Sequence, residues 1–204
     1  MNGPVAKRAM DVVGAALLLL FFAPVMGMIA LALLACGDGP VLFGHWRVGQ
    51  GGRSFRCLKF RTMHRDSAEI LAACLAECPA RRAEWHRTRK LKEDPRISRV
   101  GHLLRVSSLD ELPQLFNVLR GEMSLVGPRP VTEEELENYG ADVVHYYAAV
   151  PGITGLWQVS GRNHTTYEER VALDVNYNLN RTLMGDLRIL FRTVRVVLTG
   201  HGAY

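Results

Sequence analysis

The sequence predicts an α+β chain with an N-terminal membrane-helix hairpin, a small β-hairpin and a mostly helical body whose amphipathic helices suit an interface. Three observations carry this. Val12 to Cys36 holds no charged residue over 25 positions, enough apolar chain to reach across a bilayer. Two runs of β-formers, VLFGHWRV and RSFRCLKFRTM, flank Gly49-Gln50-Gly51-Gly52, the mark of a hairpin with a glycine turn. Beyond them, apolar residues recur mainly at helical spacing. At 204 residues the chain can bury a real core. The expected division is an anchor over 1–37 and a cytoplasmic, membrane-associated domain over 38–204.

Within the anchor, Pro24 leaves about 18 Å of helix before the break at 1.5 Å per residue, too short to cross the hydrocarbon alone. Three readings compete: a kinked spanning helix, a re-entrant hairpin, and a secretion signal cut before Cys36 at Leu33-Leu34-Ala35-Cys36. The signal reading suffers from an apolar run longer than such segments carry. Basic residues lie on both flanks, Lys7 and Arg8 before and Arg47, Arg53, Arg56, Lys59 and Arg61 after. If both flanks stay inside, the segment must turn back, so re-entry is favoured.

Gly37-Asp38-Gly39-Pro40 is a loop. In the second strand Lys59 and Arg61 share one face, with Phe60 opposite; they serve either as solvated edge charges or as anion binders. Asp66 to Lys92 reads as helix, broken at Pro79. His86, Arg87, Arg89, Lys90 and Lys92 form a basic cluster, a solvated face or a headgroup contact. Val100, Leu103 and Leu104 mark a short helix. Arg105 either reaches toward Asp110 or caps that helix.

Asp110 and Glu111 are adjacent carboxylates near a helix start. Ser108-x-x-Glu111 matches a capping box, but that register places Pro113 where a hydrogen bond is lost. Taking Asp110 as the N-cap puts Pro113 among N–H groups that have no intrahelical partner. The expectation is therefore a helix beginning at Asp110, with free N–H donors beside the carboxylate that favour a phosphate. Arg129 lies between Pro128 and Pro130, which restrict its backbone. An acidic pair beside a held guanidinium suits phosphate chemistry: a carboxylate attacks phosphorus, a divalent metal offsets charge, and Arg grips oxygens.

Glu133 to Tyr147 is acidic and helical, and Pro151 to Gly155 is a turn-rich loop. Trp157 and Arg162 either grip a ligand or, for Trp157, fill the core. In the last helix Leu187, Leu190, Phe191, Val194, Val197 and Leu198 form an apolar face beside Arg188, Arg192 and Arg195, for packing or for a bilayer interface. The net charge of +5, concentrated in the middle and C-terminal parts, suits a phosphate-rich partner. Cys36, Cys57, Cys74 and Cys78 offer no disulfide framework, and Cys74-x3-Cys78 lacks a second pair for zinc. A reducing, cytoplasmic setting follows for the soluble part.

KFRTM (59–63), DPRISRVGHLLR (94–105), SLDELPQLFNVLRGEMSLVGPRP (108–130) and PGITGLWQVSGRN (151–163) resemble the bacterial sugar transferases, small monotopic phosphoglycosyl transferases that prime exopolysaccharide, capsule or glycan assembly. The resemblance covers nearly the whole chain. It implies transfer of a sugar 1-phosphate, galactose or glucose, from a UDP-sugar to undecaprenyl phosphate at the bacterial inner membrane, with the catalytic domain on the cytoplasmic face. By motif, Asp110 would be the covalent nucleophile and Glu111 its partner, both holding Mg²⁺. Arg129 would bind substrate phosphate, with Arg105, Lys59, Arg61 and Arg162 as further phosphate-binding candidates. No nucleic-acid partner is implied, and a homodimer is left open. The lipid bilayer is a partner in its own right. Ala23-Pro24 departs from the Ser-Pro that members often carry at the break. The chain resembles the minimal form of the family. The rival reading from another class is a non-catalytic membrane-surface protein that holds polyprenyl phosphate.

Overall fold

A computed structural model describes residues 4–37, 39–88, 91–161 and 165–199. Asp38, Arg89, Lys90 and Arg162, each part of an expectation above, lie outside the described residues, as does the side chain of Leu198. The chain is α+β and mostly helical, with two small two-stranded sheets among the described residues.

The apolar segment forms one helix, α1 (Pro4–Ala35), with Pro24 inside it. Its mean hydropathy of 2.7 over a stretch long enough to cross a membrane fits the composition. The expected hairpin of two helices is not separated by a turn. Instead α1 packs on the rest of the chain from both sides of Pro24. Ala15 enters the main core with Leu115, Val118 and Leu125, while Ile29 and Leu33 pack with Phe60 and Leu104. Between these contacts Leu20 and Phe21 are exposed.

The glycine turn and its strands follow the sequence. β1 (Leu42–Val48) and β2 (Ser54–Phe60) pair antiparallel, with Phe43 opposite Lys59 and Arg47 opposite Phe55. Alternation then buries Phe55, Cys57 and Phe60, the last through the opposite face from Lys59. Pro79 separates α2 (Ser67–Glu77) from α3 (Pro79–Thr88). α4 (Arg99–Val106) starts at Ser98, whose hydroxyl accepts from the Gly101 N–H at 3.0 Å, a standard N-cap.

The helix expected to begin at Asp110 begins later. Ser108 adopts a left-handed backbone (φ 57°) and makes no side-chain cap, Leu109–Glu111 is a 3₁₀ turn, and α5 (Gln114–Arg120) starts after Pro113. Pro113 still sits where no N–H is needed, but as the N-cap rather than inside the first turn. The capping box therefore does not form, which leaves Glu111 available for other contacts. Gly121 (φ 84°) ends α5, the left-handed stop that glycine permits.

β3 (Ser124–Val126) pairs in parallel with β4 (Gly152–Thr154). Between them lie a 3₁₀ stretch, Glu134–Asp142, and α6 (Val143–Ala148). Leu156–Ser160 forms a short helix, α7. α8 (Tyr167–Asn180) opens with a full capping box between Thr166 and Glu169, and α9 (Leu183–Thr199) closes the described chain. Of the expected apolar face on α9, Leu187, Phe191, Val194 and Val197 remain exposed and Leu190 packs partly buried on the main core, whose α9 member is Ile189, a residue outside that face.

Candidate active site

The side chain of Lys59 gathers the acidic pair. Its Nζ lies 2.6 Å from Glu111 Oε1 and 3.8 Å from Asp110 Oδ2. β2 carries Lys59 outward from the buried Phe60, and the 3₁₀ turn brings both carboxylates over that strand. The turn that displaced the expected helix start thus makes the site. Asp110 is buried, and that burial pushes its carboxyl above the ordinary range. Lys59 and Arg105 oppose the rise, and Glu111 adds to it.

Arg105 is held on the same side by backbone geometry. A Cβ at Gly101 would meet the Thr62 carbonyl oxygen at 1.9 Å, so only glycine lets α4 lie against the chain there. That approach brings Arg105 Nε to Thr62 Oγ1 at 2.9 Å. Burial lowers the guanidinium pKa, and the nearby charge of Asp110 works the other way.

The Arg129 loop is pinned on both sides. Gly127 N–H donates to Thr154 O at 2.9 Å and Gly152 N–H to Pro128 O at 2.8 Å. After it, Val48 N–H donates to Val131 O at 2.9 Å, and Val131 N–H donates to the Tyr146 hydroxyl at 3.2 Å. Pro128 is fully buried, whereas the Arg129 side chain is half-buried and makes no hydrogen bond or ion pair among the described residues. Lys59, Glu111, Arg47 and Arg129 all lie within electrostatic reach of the Cys57 thiol, whose pKa burial raises. Arg129 thus shares the surroundings of Cys57 with Lys59 and Glu111, and its donors are uncommitted among the described residues.

Of the other candidates, Arg61 goes elsewhere. Its Nη2 donates to Leu33 O at 3.2 Å, drawn to the carbonyl end of α1 where a cation is favoured, so it stands apart from the Lys59 contacts although it shares their strand face. Pro24 sits within α1, remote in sequence from the carboxylates.

Two contributing residues, Asn117 and Asp11, were missed by sequence reasoning. Asn117 is fully buried and ties α5 to β2: its Oδ1 accepts from Leu58 N at 3.0 Å and its Nδ2 donates to Arg56 O at 2.8 Å and Glu122 Oε2 at 2.6 Å. A lone amide among the apolar residues of LFNVLR was the available signal. Asp11, a lone acid at the edge of the apolar run, is buried and accepts from Leu125 N at 3.0 Å and Ser124 Oγ at 2.8 Å. It fixes the strand that leads into Arg129.

The residues present fit a divalent cation. Two carboxylates already converge on one positive centre, the Lys59 ammonium, and a Mg²⁺ site commonly takes one or two carboxylates with the remaining places filled by water and substrate phosphate. Among the described residues no group of three or more His, Cys, Asp or Glu side chains is placed to hold a metal ion.

Residues 3–200 match the family model described as bacterial sugar transferase. The chain is 53% identical over 198 residues to a UDP-galactose-lipid carrier transferase of Erwinia amylovora, covering 97% of this chain and 41% of that protein. It is 52% identical over 198 residues to an undecaprenyl-phosphate galactose phosphotransferase of Salmonella typhimurium, covering 97% of this chain and 41% of the relative. With the exopolysaccharide production protein ExoY of Rhizobium meliloti it shares 49% identity over 203 residues, covering 99% of this chain and 89% of the relative. The chain thus spans under half the length of the first two and most of the third. An acidic pair, a pinned arginine and a long apolar helix occur here in a chain matched almost end to end, and the protein belongs to the bacterial sugar transferase family.

Proposed function

We propose that the chain transfers a sugar 1-phosphate, from UDP-galactose or UDP-glucose, to undecaprenyl phosphate, the first membrane step in building an exopolysaccharide or capsule glycan. The observation that carries this reading is the convergence of the Asp110 and Glu111 carboxylates on one cation, Lys59. In the first step an Asp110 oxygen attacks the phosphorus that bears the sugar. The bond from that phosphorus to the bridging oxygen breaks, and UMP leaves with the electron pair. In the second step an oxygen of undecaprenyl phosphate attacks the same phosphorus, and the Asp110 carboxylate leaves. Arg129 holds the non-bridging oxygens, and Lys59 and Arg105 oppose the rise that burial gives the Asp110 carboxyl. Asp110 and Glu111 would hold Mg²⁺, which supplies charge neutralisation at the diphosphate.

The reading extends to the anchor. Arg8 donates to the Val118 and Leu119 carbonyls at 2.6 and 2.8 Å near one end of α1, and Arg61 donates to Leu33 O near the other. Both ends of α1 are thereby bonded to one folded body, which supports re-entry from the cytoplasmic face over a span with its ends on opposite sides. In this arrangement residues 1–37 form the anchor and 38–204 the catalytic domain. The exposed Leu187, Phe191 and Val194 of α9 rest at the headgroup level of the inner membrane.

The test is a panel of UDP-sugars with undecaprenyl phosphate, scored for Mg²⁺-dependent UMP release and for a sugar-phosphate adduct on the protein by intact mass. The expected result is UMP release and an adduct with UDP-galactose or UDP-glucose. A strict need for both substrates before any UMP appears would overturn the two-step mechanism.

A further inference from the structure

A second polar cluster lies on α8, outside the acidic pair. The Arg170 guanidinium lies between two rings, 4.6 Å from the centre of Trp157 and 4.9 Å from that of Tyr167. Its Nη1 is 3.9 Å from Glu135 Oε1. Its Nε and Nη2, the edge that can donate two parallel hydrogen bonds, are buried and meet no partner among the described residues. One turn further along α8, Asp174 Oδ2 accepts from the Tyr139 hydroxyl at 2.7 Å, while Oδ1 is buried and likewise unmet. Arg170 is 7% exposed and Asp174 3%. Leaving two donors and an acceptor unsatisfied in an interior is costly, and stacking fixes the guanidinium so that only its edge is offered.

We propose that this pair is the hydroxyl-binding subsite for the sugar of the donor: the Arg170 edge donates to two adjacent sugar oxygens, and Asp174 Oδ1 accepts the proton of one of them. The proposal rests on the reading that the donor is a nucleotide sugar. The chemistry selects a hydroxyl pair. A phosphate or carboxylate offers acceptors alone and would meet the negative charge of Asp174 and Glu135, whereas a hydroxyl both accepts and donates. Position agrees. Val131, two residues after Arg129, packs in one cluster with Tyr139, Tyr146 and Val171, and the charge of Arg129 acts on the Asp174 carboxyl. The sugar is bonded to the phosphate that Arg129 would hold, while the uracil lies at the far end of the diphosphate. The three unmet positions are closed to solvent, so the half-buried rings of Trp157 and Tyr167 must part as the sugar enters.

Binding, rather than turnover, tests this. The full chain carrying Asp110→Asn, reconstituted in lipid nanodiscs, is titrated calorimetrically with UDP, UDP-galactose and UDP-glucose. The reference protein is expected to bind one UDP-hexose about tenfold more tightly than UDP, the scale of one net hydrogen bond. Adding Asp174→Asn or Arg170→Lys is expected to bring that ratio near one and leave UDP affinity unchanged. Donors lacking one hydroxyl at a time provide a check that needs no α8 substitution. One of them loses the same factor on the reference protein and loses nothing further on Asp174→Asn. A ratio that survives both substitutions, as for a pair holding only internal water, overturns the proposal. So does a parallel loss of UDP and UDP-hexose, which marks uracil recognition or a damaged fold, and so does a reference protein that prefers neither hexose to UDP. Failure of the transferase reading shows separately, as absence of UMP release by the unsubstituted chain.

Discussion

Lys7 Nζ lies 3.0 Å from Asp186 Oδ2 and 3.1 Å from Asp11 Oδ1, so one ammonium is shared by carboxylates of α1 and α9. The same ammonium donates to Val126 O at 3.2 Å, and the Tyr177 hydroxyl lies 2.9 Å from both Val126 O and Asp186 Oδ1, which share its one proton. Lys7→Met leaves two nearly buried carboxylates without their cation. The expected cost is about 3–5 kcal/mol, read as a lowered unfolding temperature in detergent. Adding Asp186→Asn recovers part of it, because one stranded charge is gone.

Asp110→Asn is expected to lower UMP release by about 10⁴-fold or more, as for other lost nucleophiles, and to abolish the adduct seen by intact mass. Burial disfavours the ionised form of Asp110, so the amide is expected to raise the unfolding temperature at neutral pH. Loss of activity with a gain in stability separates a reacting group from a structural one.

The pH profile follows from the same carboxyl. Attack requires the ionised form, and the Asp110 pKa is raised above its ordinary 3.8. UMP release should therefore fall about tenfold per pH unit on an acid limb displaced upward from that of an ordinary aspartate. Lys59→Met removes a cation that opposes the rise, so the limb moves to higher pH, with turnover at neutral pH reduced by about 10²-fold.

Asp174 makes a stability prediction with the opposite practical reading to a salt-bridged acid. Burial raises its carboxyl from 3.8 to about 6. The unfolded chain gives up this proton first, so stability is highest below the unfolded value and declines as pH rises toward about 6. The full loss is about 3 kcal/mol at 1.36 kcal/mol per unit. Denaturation of Asp174→Asn against the unsubstituted chain should show a gain at pH 8 that shrinks as pH is lowered to 4.

Gly101→Ala forces a methyl into the Thr62 carbonyl and must shift α4. A cost of about 1–3 kcal/mol is expected for such overpacking. UMP release should fall further than the stability loss explains, because Arg105 moves with the helix away from Thr62. Equal activity per folded molecule would show that the Arg105 placement is immaterial.

Much of this fold is legible in the residues. Alternation and the glycine turn fix the β1–β2 pair, and Pro79 divides α2 from α3. The acidic pair and the Pro-Arg-Pro loop stand out because their chemistry is local. What escaped the sequence depends on contacts far along the chain. No propensity signals that Ser108 takes a left-handed backbone, and without it the start of α5 is misplaced. Strands of three residues, such as β3 and β4, carry too little pattern to be seen. Lys7 and Arg8 read as charges that orient a membrane segment, yet they bond to Asp186, Val126, Val118 and Leu119. Arg170 and Asp174 lie among the apolar residues of α8 and show their interest only through unmet atoms.

The packing of α1 bears on how the protein can be handled. Ala15 and Leu33 are interior residues, so trimming the greasy N-terminus to obtain a water-soluble fragment would tear out a wall shared by two hydrophobic clusters. Preparations for crystallography or inhibitor screening should keep that segment and supply it with lipid.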